Sequence, residues 1–408
     1  MREIPRHIQT HGKAPLRETS GAPATMTRRH VIELFGALGL AAMASPLASS
    51  VVRAQSTPGA SVVPGPQPDG TNLWRVQVGG MDMASGTDMH AFFPGEITIN
   101  AGDSIEFAFA PMGMPGFHTV TFTSGDDIPP IFIPDTDEGT AATAMAGPPR
   151  ILVNPALAWP DGRTDYDGTG MVNSGLDVLR SEDQGPYILT FTTPGSYEYV
   201  CGVHFIVMKG SVTVQEAGSD LPYDQAGYDE MASGEMAALL ETGMAAIAEA
   251  EGKAATPSAE GPWEVAVGVG GMSQARVMRF IPPELTIKVG DTVRWTNMSD
   301  GEPHTVTFLG GAEQPEDVLI EPQDAGVPKL YQNTQSLLPA GGPEFDGTGF
   351  TSSGFLGMPP EVNEMFGLVG QSWELTFSAA GDYPYYCILH SGGPETEGGM
   401  NGRIIVEE

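Results

Sequence analysis

The sequence predicts an all-β protein of two tandem domains joined by a short helical linker, and three observations predict it. Gly and Pro number 53 and 35. Runs that suit a helix are few, and that balance favours short strands and many turns. A second observation is an internal duplication. "GFHTVTFTSG" around His118 returns as "EPHTVTFLGG" around His304, and "YEYVCGVH" returns as "YPYYCILH". The pairs His118/His304, Cys201/Cys387 and His204/His390 are each offset by 186 residues. A repeat of this length organises everything else. The third observation is a strand, Gly-Asp turn, strand pattern in both copies: "PGEITINAGDSIEFAFA" and "PPELTIKVGDTVRWTN". A chain of 408 residues has room for two or three ordinary domains, and the repeat argues for two.

The elements follow in order. Residues 1–54 read as an N-terminal extension and a twin-arginine-type signal peptide. Met26 opens "MTRRHVIELFGALGLAAMA", with Arg28 and Arg29 ahead of an apolar run from Leu34 to Ala44. That run is too short to span a membrane comfortably and suits a signal segment. Translation starts at Met1 or Met26. Export is expected, to a periplasmic or extracellular, cell-surface location, and an uncleaved signal would anchor the chain to a membrane. Residues 55–71 are a Pro/Gly/Ser-rich tether. The first domain is assigned to 72–216, the helical linker to 217–260 and the second domain to 261–408. Within the linker, residues 229–251 read as a helix, with Met236, Leu239, Leu240, Met244 and Ile247 on one face. Such a helix packs on a domain or at the domain interface. Each copy also holds a "DGTG" phrase, at Asp167 and Asp346, read as a shared structural turn.

Charge narrows the partners. The first 54 residues hold seven of the 19 basic side chains and three of the 51 acidic ones. The remainder carries 12 basic and 48 acidic groups, a net of −36. Nucleic acid and anionic lipid are therefore poor partners, whereas a basic protein partner or a salty habitat fits better. Simple solubility is the bland reading of the same charge.

The chain has two cysteines, one in each copy, so neither domain can close an internal disulfide. Each sits close to a histidine and a methionine: Cys201, His204 and Met208, then Cys387, His390 and Met400. One Cys-x-x-His is weak evidence, since a buried Cys near a chance His is common. Here it occurs twice, each time with an upstream His-Thr-Val-Thr-Phe. Five histidines follow residue 54, and four belong to the motif. Core packing does not explain that economy. A thiolate, two imidazoles and a thioether form a soft ligand set that suits copper, in the arrangement of a blue-copper centre with a long axial Met. Zinc is the competing metal, but this is a poor zinc set. The fifth histidine, His90, lies among Met81, Met83 and Met89. Transient Cu(I) binding is one reading there. Filling a domain edge is the other, favoured by Met272 and Met278 at matching places in the second copy.

On these residues each copy resembles the cupredoxins of the plastocyanin and azurin superfamily, over about residues 72–216 and 261–408. The resemblance implies two Greek-key β-sandwiches. It also implies two type 1 copper ions per chain, held by His118, Cys201, His204 and Met208, and by His304, Cys387, His390 and Met400. Two features depart from the family pattern. The residue after the first His is commonly Asn, whereas here it is Thr119 and Thr305, whose hydroxyls can tie the ligand loops. The gap from His390 to Met400 is also long. In this family electrons enter through the exposed His of the Cys loop, which here is His204, ringed by Val203, Phe205, Ile206 and Val207.

Three functions compete: a two-site electron carrier, a copper-binding or storage protein, and a multicopper oxidase or nitrite reductase-like enzyme. The enzymes hold further copper on His-x-His pairs, or on a His beside the Cys. Val200 and Gly202 flank Cys201, Tyr386 and Ile388 flank Cys387, and no His-x-His occurs. A storage protein would carry more thiols or Met/His tracts. The sequence thus favours an electron carrier rather than an enzyme. Its partners would be redox proteins with a basic, cytochrome-like face.

Overall fold

Alternating apolar residues build the strands of this protein, and a computed structural model shows how they close. It describes residues 63–109, 117–135, 150–180, 185–254, 261–324 and 326–408. The signal segment, the start codons and most of the tether lie outside the described residues.

Seven main strands form each copy. In the first they are β1 (Asn72–Asp82), β2 (Thr87–Phe93), β3 (Glu96–Asn100), β4 (Ser104–Phe109), β5 (Tyr187–Phe191), β6 (Gly195–Val200) and β7 (Lys209–Gln215). A long helix, α1 (Gln225–Ala254), follows. In the second copy the strands are β8 (Trp263–Val269), β9 (Ala275–Ile281), β10 (Glu284–Lys288), β11 (Thr292–Met298), β12 (Ser372–Phe377), β13 (Gly381–Tyr386) and β14 (Asn401–Glu407).

Each copy packs one sheet on another. In the first, β1 pairs with β2 antiparallel and with β4 in parallel, and β5 joins β4. In the facing sheet β7 lies between β6 and β3. A short strand, Thr121–Phe122, continues it beyond β6. The second copy repeats these pairings. The period of two explains the core: Trp74, Val76 and Val78 point inward from β1, and Ile97 and Ile99 meet them from β3. Cys201 and Met208 belong to that core, and Cys387 and Met400 to its counterpart. Burying side chains of this size contributes about 1.5–3 kcal/mol each.

The copies are joined edge to edge. β2 pairs antiparallel with β9, with Met89 opposite Ala275 and Thr87 opposite Val277. One sheet therefore runs through both halves. A second, four-stranded sheet links Phe132–Pro134 and Ile151–Val153 to Val318–Glu321 and Lys329–Gln332. Around it Arg150 pairs with Glu321 at 2.7 Å, and Tyr331 donates to Asp135 at 2.6 Å. Antiparallel pairing of equivalent strands is what a two-fold relation between copies produces.

Helix α1 covers the joint. Ala232, Met236 and Leu239 pack on Met89, Ala91 and Phe93, while Ile247 packs on Val269, Val277 and Ile281. The helix is longer than the sequence reading over 229–251. Its buried face also differs by one residue: Met244 is exposed, and Gly243 lies against Thr87 instead. Residue 243 needs the smallest side chain at this close approach, so the apolar spacing alone misplaced the stripe.

The "DGTG" phrases are turns, as expected. In each, the Asp carboxylate accepts from the Thr backbone and hydroxyl, at 3.0 and 2.6 Å for Asp167 and 2.9 and 2.6 Å for Asp346. Among the described residues no helix is long and apolar enough to cross a membrane.

Candidate metal centres

Three segments build each centre, at the same end of each sandwich. Cys201 follows the last residue of β6, and Met208 precedes the first residue of β7. The Cys201 N–H donates to the Met208 carbonyl at 3.0 Å. His204 lies in the turn between them. His118 arrives just ahead of the short strand Thr121–Phe122. The second copy repeats the plan, with Cys387 N–H donating to the Met400 carbonyl at 3.0 Å. Six extra loop residues precede Met400, but the register is conserved between the copies: Tyr386 pairs with Asn401 as Val200 pairs with Lys209. Met208 and Met400 are both buried.

The ring nitrogens and sulfur converge. His118 Nδ1 and His204 Nδ1 are 3.2 Å apart, and they lie 3.9 and 3.6 Å from Cys201 Sγ. In the second triangle the two Nδ1 atoms are 3.1 Å apart, at 3.9 Å (His304) and 3.3 Å (His390) from Cys387 Sγ. A metal about 2 Å from nitrogen and about 2.3 Å from sulfur, with angles of roughly 100–130° between its ligands, spaces the ligand atoms about 3.1–3.9 Å apart. Both triangles fit such an ion. His118, His304, Cys201 and Cys387 are buried.

Neighbouring groups hold the triangles in place. The Thr119 hydroxyl accepts from Gly202 N–H at 2.7 Å, and that of Thr305 from Ile388 N–H at 2.9 Å. These bonds tie the strand that carries the first His to the Cys loop, the role expected of both threonines. Their own N–H groups point at the sulfurs, at 3.4 and 3.3 Å. Asp177 accepts from His118 N–H at 2.9 Å.

Sequence reasoning missed two kinds of residue here. Gly79 and Gly268 sit where irregularities interrupt β1 and β8, with φ of +68° and +62°. A Cβ there would fall 2.6 Å from His118 Nε2 and 2.4 Å from His304 Nε2. The only sequence signal was a Gly at matching places in "VGG" and "GVGG". The other is Glu302, two residues before His304. It is buried, with Oε1 3.1 Å from His390 Nε2 and Oε2 3.5 Å from His204 Nε2. The two centres therefore face each other across the joint. This corrects the expectation for His204: its side chain is 9 % exposed, and its Nε2 faces Glu302 rather than solvent. His90 is also placed here, buried, stacked on His204 with ring centroids 4.0 Å apart, and 3.2 Å from Asp88 through Nε2. Met89 fills the edge beneath the helix, as the packing reading expected, while Met83 and Met272 are exposed.

The electrostatics differ between the copies. At the first, burial pushes the Cys201 thiol up to about 11 and His118 down to about 4. At the second, burial likewise lowers His304, but at Cys387 and His390 it is outweighed. His390, 3.3 Å from Cys387, lowers the thiol well below its usual value, and Cys387 and Glu302 raise His390.

Comparison with known proteins agrees with this geometry. The profile of the family "Copper binding proteins, plastocyanin/azurin family" matches residues 265–407. A chloroplastic plastocyanin of Tetradesmus obliquus is 30% identical over 128 residues, 31% of this chain and 58% of the relative. That of Chlamydomonas reinhardtii is 27% identical over 130 residues, 32% of this chain and 59% of the relative. The matches thus span less than two thirds of those relatives' own length. Among solved structures, amicyanin from Paracoccus versutus is 22% identical, with a TM-score of 0.18 over 38% of this chain and 88% of that one. With the family match set on this geometry, residues 265–407 form a cupredoxin-like domain similar to the plastocyanin/azurin copper-binding family.

Proposed function

We propose that the chain is an exported copper-binding electron-transfer protein with two type 1 centres. His118, Cys201, His204 and Met208 hold one ion, and His304, Cys387, His390 and Met400 hold the other. The observation that carries this reading is the pair of His-Cys-His triangles of matching build. Only the second copy lies within the family match, so the first centre rests on its likeness to the second. The domain division at 72–216 and 261–408 is part of the same proposal.

The residues explain how such a site works. Copper held by two imidazoles, a thiolate and a thioether takes up and gives back one electron with little ligand movement. The protein supplies that rigidity. Thr119 and Thr305 lock two segments together, and backbone N–H groups donate to each sulfur, which stabilises the thiolate a metal requires. Phe205 and Ile206, both exposed, offer an apolar rim beside the first centre. Redox encounters use small contacts steered by charge, so the acidic body suits a basic, cytochrome-like partner.

Copper loading tests the reading. The purified protein is expected to bind two coppers and to be intensely blue or green when oxidised. Cys201→Ser should remove one absorption band and leave the other. Uptake of a single ion contradicts the paired centres, and two colourless ions favour a storage protein.

A further inference from the structure

Glu302 lies between the two ligand triangles, a carboxylate that belongs to neither. It is buried, and its two oxygens reach one ligand ring of each centre: Oε1 is hydrogen-bonded to His390 Nε2 at 3.1 Å, while Oε2, which has no hydrogen-bond partner among the described residues, lies 3.5 Å from His204 Nε2. Both rings turn Nδ1 toward their own cysteine, at 3.3 and 3.6 Å. With Nδ1 turned to sulfur, a proton carried on Nε2 of either ring faces Glu302. From one sulfur through His204, Glu302 and His390 to the other sulfur, no step between groups exceeds 3.6 Å. The path is walled in. His90 stacks on His204, and buried Arg276 directs Nη1 to the carbonyls of Gly271 and Asp300.

We propose that Glu302 is a positioning residue that holds His204 and His390 on one carboxylate and so makes a bridge for electron transfer within the chain between the two centres. The proposal rests on the copper reading above. The step is one electron: one centre is oxidised as the other is reduced, no covalent bond forms or breaks, and no external reagent takes part. Bonds and short polar contacts carry electronic coupling better than open solvent does. The two centres then act as one unit with a shared electron rather than as two independent carriers.

A third metal is the rival use of this cluster, because ligand atoms of His90, His204 and Glu302 lie within 4.8 Å of one another. The ring geometry disfavours it. His90 and His204 are stacked with 24° between their planes, so their in-plane lone pairs run side by side instead of meeting at one point.

Two readouts test the bridge, and one needs no copper. In the metal-free protein, nitrogen-edited NMR should show slowly exchanging Nε2 protons on His204 and His390, that of His390 the better protected. Glu302→Ala should lose both. Glu302→Gln keeps one acceptor oxygen and should keep one proton. In the copper-loaded protein, a pulse of one-electron reductant should be followed by equilibration between the two absorption bands. In Glu302→Ala that rate should fall about 10-fold or more, with both bands and the circular dichroism retained. An unchanged rate in a variant that keeps both bands overturns the bridge alone, as does persistence of both ring protons in Glu302→Ala. Protected ring protons in a chain that takes up no copper overturn the bridge together with the copper reading. Three ions per chain, falling to two in His90→Ala, overturn it in favour of a third metal site.

Discussion

At the scale of single residues, the glycines and threonines around the ligands matter as much as the ligands. Gly79→Ala and Gly268→Ala each place a methyl group inside contact distance of a ligand ring, and do so at positive φ. Each is expected to cost about 1–3 kcal/mol and to alter only its own centre's visible spectrum. Thermal melts and absorption spectra check both parts. Thr119→Val removes the acceptor for Gly202 N–H and leaves that buried donor unpaired, at about 1–3 kcal/mol. The ring of His118 carries a pH prediction for the metal-free protein. Burial holds it near 4, against 6.5 when unfolded. Between these values the unfolded chain binds a proton that the folded chain refuses, so stability is complete above 6.5 and falls as pH drops. The loss approaches about 3 kcal/mol near pH 4. Denaturant melts of wild type and His118→Ala should diverge over that window. If they do not, the ring is not excluded from water.

Among the elements, helix α1 and the loop before Met400 carry the clearest expectations. Gly243→Ala would ordinarily strengthen a helix by about 1 kcal/mol. Here the new Cβ would lie 2.5 Å from the Thr87 side chain, on the strand that joins the two halves. The clash is expected to win, so the variant should melt lower than wild type. The loop before Met400 bears Glu395 and Glu397, both exposed, where water and salt weaken their effect. Glu302 is the stronger negative charge, and it lies closer to His390 than to His204. Negative charge favours Cu(II), so the second centre should have the lower potential, and electrons should run from it toward the first. Voltammetry should resolve two waves, with Cys201→Ser removing the upper one; removal of the lower wave reverses the direction. Met400→Leu should shift the second wave alone, and an unmoved wave rejects Met400 as a ligand.

For the whole molecule, the joining of the copies decides what the centres can do. A carrier of two independent sites needs only a tether. This chain instead runs one sheet through both halves, adds a second shared sheet and lays a helix over the joint. The centres are thereby held on either side of one buried carboxylate. The loaded protein is expected to reduce neither dioxygen nor nitrite at enzymatic rates. Turnover of either by the purified protein would return His90, His204 and Glu302 to consideration as an enzyme's metal site.

Local pattern carried most of the site in the sequence. Cys, His and Met must share one tight turn between adjacent strands, so their spacing survives in the linear chain, and duplication printed it twice. Apolar alternation of period two likewise announced the strands. Contacts between the copies were not legible. Glu302 stood two residues before His304 with no partner in sight, because its partners lie 88 and 98 positions away in sequence, at His390 and His204. His90 read as an edge residue because nothing local places it against His204. Gly79 and Gly268 looked like ordinary strand interruptions. Sequence alone therefore determined the types of the candidate ligands, their order and the two-fold repetition. Only tertiary packing decided that the two centres face each other, because strand-edge pairing between β2 and β9 depends on which surfaces the folded halves leave free.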